Sequence, residues 1–311
     1  MVILNNNFEE RIKDNTVVAL GNFDGIHLGH MELIKKAIEL SKELKVKSMV
    51  YTFENHPLSV INKEMTPKLI LSNESKNTIL ESLGIDIVNY AEFNNKIMNL
   101  PPEVFIEKLK YHFNIKGLVV GFNFRFGYKN LGDVNLLTDI CKKEGIKLKV
   151  VDSISLENQV VSSSIIRNLI SEGLLIKANQ MLNYVFFLPG VVVHGNQIGR
   201  TINFPTINLD YHRNLLIPKG GVYFTAVRVN NKIYKGITNI GYNPTVLNKK
   251  FSIETFILNF DEDVYNKNVK IYFIERFRDE IKFDSLTKLA QQLSLDKDYV
   301  EEKTIENYNL F

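Results

Sequence analysis

Residues 16–30 read Thr-Val-Val-Ala-Leu-Gly-Asn-Phe-Asp-Gly-Ile-His-Leu-Gly-His and set the architecture of the first half of the chain. The first five residues are a short apolar run followed by glycine, as in a buried parallel strand. Apolar side chains then recur at helical spacing over residues 33–44, which predicts a helix after the glycine-rich turn. In an open α/β sheet such a turn lies at the carboxyl end of a strand, where ligands bind.

The alternation of strand and helix continues to about residue 151. Further strands are predicted at residues 46–53, 116–121 and 146–151, and further helices at residues 74–83, 102–113 and 133–145. Strand and helix in alternation indicate an open parallel sheet with a Rossmann-like α/β fold. A single helix is predicted over residues 164–182, at the end of this half.

The second half of the chain follows a different pattern. Short strands are predicted at residues 191–194, 222–229, 232–240, 252–259 and 269–274. The links between them contain Gly, Asn or Pro, which predicts a compact antiparallel β-barrel, followed by a helix that begins at Ser285. We therefore predict two domains, residues 1–184 and residues 185–311.

The composition excludes several functional classes. The 311 residues carry a formal net charge of +3, too small for a nucleic-acid-binding protein with a concentrated basic stripe. No apolar stretch approaches the ~20 residues of a membrane helix, and the first 16 residues do not resemble a secretory signal. The single cysteine, Cys141, excludes an internal disulfide framework. We expect a cytoplasmic protein, a monomer or weak homo-oligomer, with no nucleic-acid or membrane partner.

His27 and His30 are the first candidate site residues. They lie three residues apart, on one face of the first turn of the predicted helix. The unpaired N–H groups of this turn bind anions, and Gly29 allows a nucleotide to approach the backbone closely. A chance pair of surface histidines or half of a metal site fits the same residues. The H-x-G-H spacing after G-x-F-D-G, at a strand end, favours a nucleotide-binding function.

Two later segments bear on the same site. Residues 121–127, Gly-Phe-Asn-Phe-Arg-Phe-Gly, follow a strand, and their alternating phenylalanines also fit ordinary strand packing. Residues 161–167, Val-Ser-Ser-Ser-Ile-Ile-Arg, place hydroxyls at a helix N-terminus, which also fits a simple cap. Together with H-x-G-H, these segments resemble the FMN adenylyltransferase module of bacterial FAD synthetases, within the nucleotidylyltransferase superfamily.

This resemblance implies a shared cleft for ATP and FMN. It implies catalytic roles for His27, His30 and Arg167, with Arg167 stabilising phosphate charge. The nucleotide contacts that it implies are Gly21, Phe23, Asp24, Gly29, Asn123 and Ser163.

The second half contains its own candidate site at residues 194–208, His-Gly-Asn-Gln-Ile-Gly-Arg-Thr-Ile-Asn-Phe-Pro-Thr-Ile-Asn. The backbone N–H groups of a glycine-rich turn can cradle phosphates. Thr206 and Asn208 face the same side of an extended segment, and their oxygens suit Mg²⁺. A polar barrel loop fits the same stretch. The predicted ligand-binding residues of the turn are Gly195, Gly199, Arg200 and Thr201.

Five later segments follow in a fixed order. They are residues 221–223, 239–245, 253–255, 263–265 and 278–283. With residues 194–208 they resemble the riboflavin kinase module, which would cover residues 185–311. Over essentially its whole length the chain therefore resembles the bifunctional riboflavin kinase/FMN adenylyltransferase family.

Glu254 and Arg278 are the remaining candidates of this module. A carboxylate at Glu254 is suited to accept the proton of the riboflavin 5′-hydroxyl. The alternative is a solvent-facing strand residue, and the lack of clean alternation around Ile253 and Phe256 argues against it. Arg278 resembles the flavin-side arginine of the family, and an exposed salt bridge accounts for it almost as well.

The chain departs from the family pattern at several positions. Asn203 stands where glycine is usual, and asparagine tolerates left-handed backbone. Ile207 replaces an alanine and is expected to add bulk close to the metal. Asn243 replaces an arginine, Asn266 a glycine and Asn55 a proline. None of these changes removes a proposed catalytic group.

The resemblance implies two sequential reactions. In the C-terminal barrel, ATP with Mg²⁺ phosphorylates riboflavin to FMN. In the N-terminal module, the phosphate of FMN attacks the α-phosphate of a second ATP, giving FAD and pyrophosphate. Two alternatives stay open: a nucleotidylyltransferase for pantetheine or nicotinate phosphate, and a flavin- or nucleotide-sensing binding protein without turnover.

Overall fold

A computed structural model describes residues 1–195, 198–242 and 251–311. The chain divides into two compact units, residues 1–162 and residues 163–311. The expected parallel α/β unit and antiparallel barrel are both confirmed. No helix among the described residues is long and apolar enough to cross a membrane.

The first unit is built on a six-stranded parallel sheet in the order β1-β4-β3-β2-β5-β6. Its strands are β1 (Val2–Leu4), β2 (Thr16–Leu20), β3 (Lys47–Phe53), β4 (Ile87–Ala91), β5 (Ile115–Gly121) and β6 (Lys147–Val151). Strands β2 and β4 are buried at every residue, because both faces of the sheet's interior strands are covered. A short hairpin of β7 (Ser155–Leu156) and β8 (Gln159–Val160) follows the sheet.

Six helices surround this sheet. They are α1 (Leu28–Leu44), α2 (Leu58–Ile61), α3 (Asn73–Ser82), α4 (Asn95–Met98), α5 (Pro102–Phe113) and α6 (Val134–Glu144). Local residues cap both ends of α6. Asp133 Oδ1 accepts a hydrogen bond from the Leu136 N–H at 2.9 Å, and Gly145 ends α6 with a φ of 65°.

The second unit begins with two helices, α7 (Ser163–Ser171) and α8 (Leu175–Leu182). The single helix predicted over residues 164–182 is therefore wrong: Gly173, with a φ of 80°, separates the two. Asn179 on α8 donates to the Phe273 carbonyl at 3.0 Å and accepts from the Phe186 N–H at 2.8 Å. These contacts tie α8 to the barrel, while the boundary predicted at residues 184/185 stays a prediction.

The barrel is closed and antiparallel, in the order β10-β13-β12-β11-β14-β9. Its strands are β9 (Phe187–Val193), β10 (Thr206–Tyr211), β11 (Gly221–Val229), β12 (Lys232–Tyr242), β13 (Phe251–Ile257) and β14 (Asn268–Arg278), and helix α9 (Leu286–Glu301) follows them. Three buried threonine hydroxyls on neighbouring strands are hydrogen-bonded in a line. Oγ1 of Thr238 lies 2.9 Å from Oγ1 of Thr225 and 2.8 Å from Oγ1 of Thr255. We call these three residues the threonine ladder.

Candidate active sites

The segment between β2 and α1, residues 21–27, has an unusual backbone. Phe23 and Ile26 have φ values of 47° and 35°, and Gly25 between them has a φ of 87°. Phe23 and Ile26 are also fully buried. Side-chain-bearing residues adopt this region at a cost, so the surrounding structure must hold the segment in place.

His27 is the N-cap of α1. Its Nδ1 accepts a hydrogen bond from the His30 backbone N–H at 3.4 Å, and the two imidazole rings stack at 3.8 Å between centroids. Because Nδ1 is the acceptor, the proton of neutral His27 is on Nε2. The cap therefore fixes the tautomer of His27 and brings both histidines together, as the H-x-G-H spacing predicted.

His30 is held in its uncharged form. Burial, the neighbouring His27 and the positive charge of Lys76 keep the pKa of His30 well below its usual 6.5. Its Nδ1 atom is buried and has no hydrogen-bond partner among the described residues. At neutral pH this ring would meet a phosphate as a neutral hydrogen-bonding group and not as a cation.

Gly29 and Gly21 make room for aromatic rings of the site. A Cβ atom at Gly29 would lie 3.3 Å from Cε1 of His27, and one at Gly21 would lie 3.2 Å from the Phe23 ring. The Phe23 ring in turn packs against His30 at 5.1 Å. These positions support the histidine pair, and their direct contact with a nucleotide stays a prediction.

Asp24 is a buried carboxylate that fixes a neighbouring loop. Its Oδ1 accepts hydrogen bonds from the backbone N–H groups of Ile70 at 3.0 Å and Leu71 at 3.2 Å. Asp24 thus links the segment before α1 to the approach of α3, and its predicted role in nucleotide binding stays a prediction.

Lys76 is a residue of this site that the sequence analysis missed. It lies on α3, is only 4% exposed, and donates to the Asn22 carbonyl at 3.2 Å. Burial lowers the pKa of Lys76 to about 8, and the negative charge of Asp24 opposes that shift. Lys76 lies three and four residues before Ile79 and Leu80, so it falls on the apolar face of α3. A lysine on the apolar face of a helix is the sequence pattern that would have pointed to a buried charge here.

The other predicted nucleotide contacts lie in separate segments. Asn123 is exposed in the turn after β5, where the Phe124 N–H donates to the Gly121 carbonyl at 3.0 Å. Ser163 and Arg167 lie on α7, which belongs to the second compact unit. The meeting of these three side chains with the histidine pair therefore stays a prediction.

In the second unit, strand pairing brings Thr206, Asn208 and Glu254 together. Asn208 on β10 is directly opposite Glu254 on β13, and Glu254 is opposite Asn239 on β12. Thr206 is two residues from Asn208 and so faces the same side. Its hydroxyl lies 3.5 Å from Oε2 of Glu254, while the Ser252 hydroxyl donates to Oε1 at 3.1 Å.

Burial along β13 alternates cleanly, contrary to expectation. Ile253, Thr255 and Ile257 are buried, whereas Glu254 and Phe256 on the opposite face are partly exposed. The sequence argument from a broken alternation was therefore wrong. Glu254 nevertheless does not face open solvent, because its side of the strand lines a cavity.

The cavity has a volume of about 570 Å³. Thr206 and Glu254 lie on one wall, and Arg278 and the start of α9 lie on another. Apolar walls with a few convergent polar groups are typical of small-molecule sites. The remaining apolar lining comes mainly from Ile202, Phe204, Val222, Ile237, Ile281, Phe283, Leu286, Leu289 and Leu293.

Gly195 and Gly199 are required by close approach. A Cβ atom at Gly195 would lie 2.1 Å from Nδ2 of Asn208, and one at Gly199 would lie 2.1 Å from the Phe204 carbonyl oxygen. Gly199 also lines the cavity, and Thr201 is exposed. The side chain of Arg200 lies outside the described part of the chain, so its predicted phosphate contact stays a prediction.

Arg278 forms a salt bridge that is largely buried. Its Nε and Nη2 atoms donate to the two carboxylate oxygens of Asp296 at 2.9 and 2.6 Å. Asp296 is 2% exposed and also accepts from Gln292 at 2.9 Å. Arg278 therefore anchors α9, which forms part of the cavity wall, and faces the cavity itself. The salt bridge that was the alternative explanation for Arg278 does form, but it is largely buried and not exposed.

The departures from the family pattern are accommodated. Asn203 and Asn266 have φ values of 62° and 61°, which explains why asparagine replaces glycine there. Ile207 pairs with Thr255 and faces away from Thr206 and Asn208, so the expected bulk close to the metal is wrong. Asn243 lies outside the described residues.

Asn55 replaces a proline in the first unit. Its Nδ2 donates to the Phe93 carbonyl at 2.9 Å, and its Oδ1 accepts from the Phe93 N–H at 2.8 Å. This paired contact joins the segments that follow β3 and β4.

The polar groups of Thr206 and Asn208 are a hydroxyl and an amide. These are the oxygen donors that Mg²⁺ prefers, so the residues fit the expected ion. Among the described residues there is no cluster of three or more His, Cys, Asp or Glu side chains that could hold a metal. The described chain therefore offers hard oxygen ligands and no zinc-type site.

Comparison with known proteins identifies the family to which each half of the chain is similar. Residues 9–165 match the family model described as FAD synthetase, and residues 182–304 match the one described as riboflavin kinase. The bifunctional riboflavin kinase/FMN adenylyltransferase of Bacillus subtilis is 35% identical, with 93% of this chain and 92% of the relative covered. The Escherichia coli protein of the same name is 30% identical, with coverage of 94% and 93%.

A solved structure covers nearly the whole chain. The crystal structure of a macrolide-efflux protein from Streptococcus pneumoniae has a TM-score of 0.89 at 28% identity, covering 97% of this chain and 99% of that chain. The two chains therefore share a fold, although the printed name of that protein differs from those of the curated relatives. Because two family models and full-length relatives agree, the chain belongs to the bifunctional riboflavin kinase/FMN adenylyltransferase family.

Proposed function

We propose that this chain phosphorylates riboflavin to FMN in the barrel unit and transfers AMP from ATP to FMN in the α/β unit. The observation that carries the proposal is the convergence of Thr206, Asn208 and Glu254 beside a cavity of about 570 Å³. A cavity of that size with an apolar lining suits a flavin-sized ring system. The capped histidine pair at residues 27–30 provides a separate phosphate site.

In the kinase reaction, Glu254 accepts the proton of the riboflavin 5′-hydroxyl as the hydroxyl oxygen attacks the γ-phosphate of ATP. The γ-phosphate bond to the β-phosphate breaks, and ADP leaves. The Ser252 hydroxyl, 3.1 Å from Oε1, orients the carboxylate for this transfer. Thr206 and Asn208 are the proposed ligands of Mg²⁺, which when bound would neutralise charge on the triphosphate.

In the adenylyl transfer, a phosphate oxygen of FMN attacks the α-phosphate of ATP, and pyrophosphate leaves. No general base is required, because the phosphate of FMN is already ionised near pH 7. His27 and His30 stabilise the triphosphate as neutral hydrogen-bonding groups. Arg167 adds positive charge, and Asn123 and Ser163 complete the nucleotide contacts. The proposed ligand-binding residues of the barrel are Gly195, Gly199, Arg200, Thr201 and Arg278.

The proposed partners are small molecules: riboflavin, FMN and ATP, with FAD as the final product. We also propose a cytoplasmic location, where ATP is available, and a monomer or weak homo-oligomer. Sedimentation of the purified chain at several concentrations tests the last point.

One assay tests the proposed function. The purified chain is incubated with riboflavin, ATP and Mg²⁺, and the flavins are separated by chromatography. FMN should form first and FAD should follow, and FMN supplied alone should give FAD and pyrophosphate. Pyrophosphate release with another phosphate acceptor and none with FMN would favour a different nucleotidylyltransferase. Flavin binding without any product would favour a sensing protein.

A further inference from the structure

A buried ammonium group lies beneath the segment that carries the histidine pair. Lys76 is 4% exposed, and its Nζ donates to the Asn22 carbonyl at 3.2 Å. Nζ also lies 5.5 Å from the centroid of the Tyr90 ring. Burying a charged amine is unfavourable unless it is paired, so a lysine in this position requires a reason.

The hydrogen bond from Lys76 is made to the backbone directly before the strained residues of the segment between β2 and α1. The Asn22 carbonyl accepts from both Lys76 and the Thr52 hydroxyl, the latter at 3.0 Å. Directly after Asn22 come Phe23 and Ile26, with their positive φ values, and then His27. A segment with such strain keeps its shape only where several contacts determine it.

The charge of Lys76 also acts on the histidine pair. It is one of the groups that lower the pKa of His30, after burial and His27. The buried carboxylate of Asp24 partly balances it. Asp24 and His27 act electrostatically on Lys76 and His30, the Tyr90 ring lies near Nζ, and Glu54 and His56 line the same small pocket as Lys76.

We propose that Lys76 is a positioning residue for adenylyl transfer: it holds the Asn22 carbonyl, and with it the strained turn that presents His27 and His30. The inference deepens the proposed function of the first unit and rests on it. A purely structural lysine would have neither an effect on the titration of His30 nor a specific effect on FAD formation.

The test uses the full-length chain with three substitutions. Lys76→Met keeps the aliphatic stem and removes the charge and the donor. Lys76→Arg keeps the charge, and Lys143→Met on the exposed face of α6 is the matched control. FAD formation from supplied FMN is measured across pH, and riboflavin phosphorylation in the same preparations reports on the second unit.

Lys76→Met is expected to lower kcat for FAD formation about 10²-fold, the loss typical of a catalytic group displaced by about 1 Å. The acidic limb of its pH profile should move to higher pH, because His30 becomes easier to protonate. Lys76→Arg should restore most of the rate and the wild-type limb. Lys143→Met and the kinase activity should be unchanged. Wild-type FAD formation by Lys76→Met with an unmoved limb would overturn the proposal.

A second readout does not depend on turnover. The titration of His30, followed by NMR of its ring proton, should shift to higher pH in Lys76→Met and stay in place in Lys76→Arg. If the wild-type chain makes no FAD, the proposed function fails, while this titration still decides whether Lys76 acts on His30. If Lys76→Met does not fold, Thr52→Val removes the other donor to Asn22. That variant should slow FAD formation without moving the pH limb, and unaltered FAD formation in it would count against the positioning role.

Discussion

Gly195→Ala tests the kinase site, because the added methyl group would contact a single side chain, that of Asn208. The added Cβ would lie 2.1 Å from Nδ2 and 2.6 Å from Cγ of Asn208. Ordinary contacts between such atoms begin near ~3.5 Å, so the amide must move by more than about 1 Å. Asn208 can rotate, so the cost should appear in activity and not in folding.

The expected result is a fall of about 10²-fold in riboflavin phosphorylation, since a displacement of about 1 Å at a catalytic group has that effect. FMN formation is measured by chromatography, and FMN-to-FAD conversion in the same sample is the internal control. That conversion should not change, because the first unit has its own site.

A double-mutant cycle with Asn208→Ala isolates the cause. If the methyl group acts only by displacing the Asn208 amide, then Gly195→Ala should add little to the loss already caused by Asn208→Ala. Losses that multiply would show that Gly195 acts independently of Asn208. Wild-type kinase activity in Gly195→Ala alone would refute the proposed role of Asn208.

Four further substitutions test separate features. Glu254→Gln should lower FMN formation by about 10²–10⁴ and leave FAD formation from FMN near wild type, as two product assays will show. His30→Ala should lower FAD formation by about 10²–10³ without affecting FMN formation. Asp296→Ala leaves Arg278 without its buried partner and should lower the free energy of unfolding by about 3 kcal/mol in urea titrations, with a higher KM for riboflavin. Lys76 has a native pKa of about 8 against 10.5 unfolded, so its burial cost is fully present below pH 8 and falls as pH rises to 10.5. The two pKa values correspond to about 3 kcal/mol at pH 7, and loss of the hydrogen bond to Asn22 offsets about 1 kcal/mol of it. Lys76→Met should therefore stabilise the chain by about 2 kcal/mol at pH 7 and by less at pH 10, and a loss of stability at pH 7 would contradict this.

Local sequence patterns predicted the elements whose causes are local. The cap at Asp133 and the end of α6 at Gly145 both depend on residues within one helical turn. The break between α7 and α8 was also visible at Gly173, but the apolar spacing on both sides favoured one continuous helix. Helical periodicity alone does not report a short interruption.

Features that depend on tertiary contacts were not predictable in the same way. Lys76 becomes a site residue only because folding places α3 beside the Asn22 carbonyl. Gly195 is needed because a side chain there would overlap the amide of Asn208, which lies on the neighbouring strand β10. The alternation of burial along β13 was missed because Phe256, an apolar residue, shares the side of Glu254 and packs near Phe204, with 5.2 Å between ring centroids.

The threonine ladder has a consequence for how the barrel selects one alignment of its strands. Sliding β13 by one residue would turn Glu254 inward, and sliding it by two would set Thr238 opposite an isoleucine. Either slip leaves buried hydroxyls unpaired, at about 1–3 kcal/mol each. A barrel with misaligned strands is therefore destabilised by its buried threonines, which lie on the face of the strands opposite Glu254. The pairing of Glu254 with Asn239 is therefore specified by chemistry on the opposite face of the same two strands, β12 and β13.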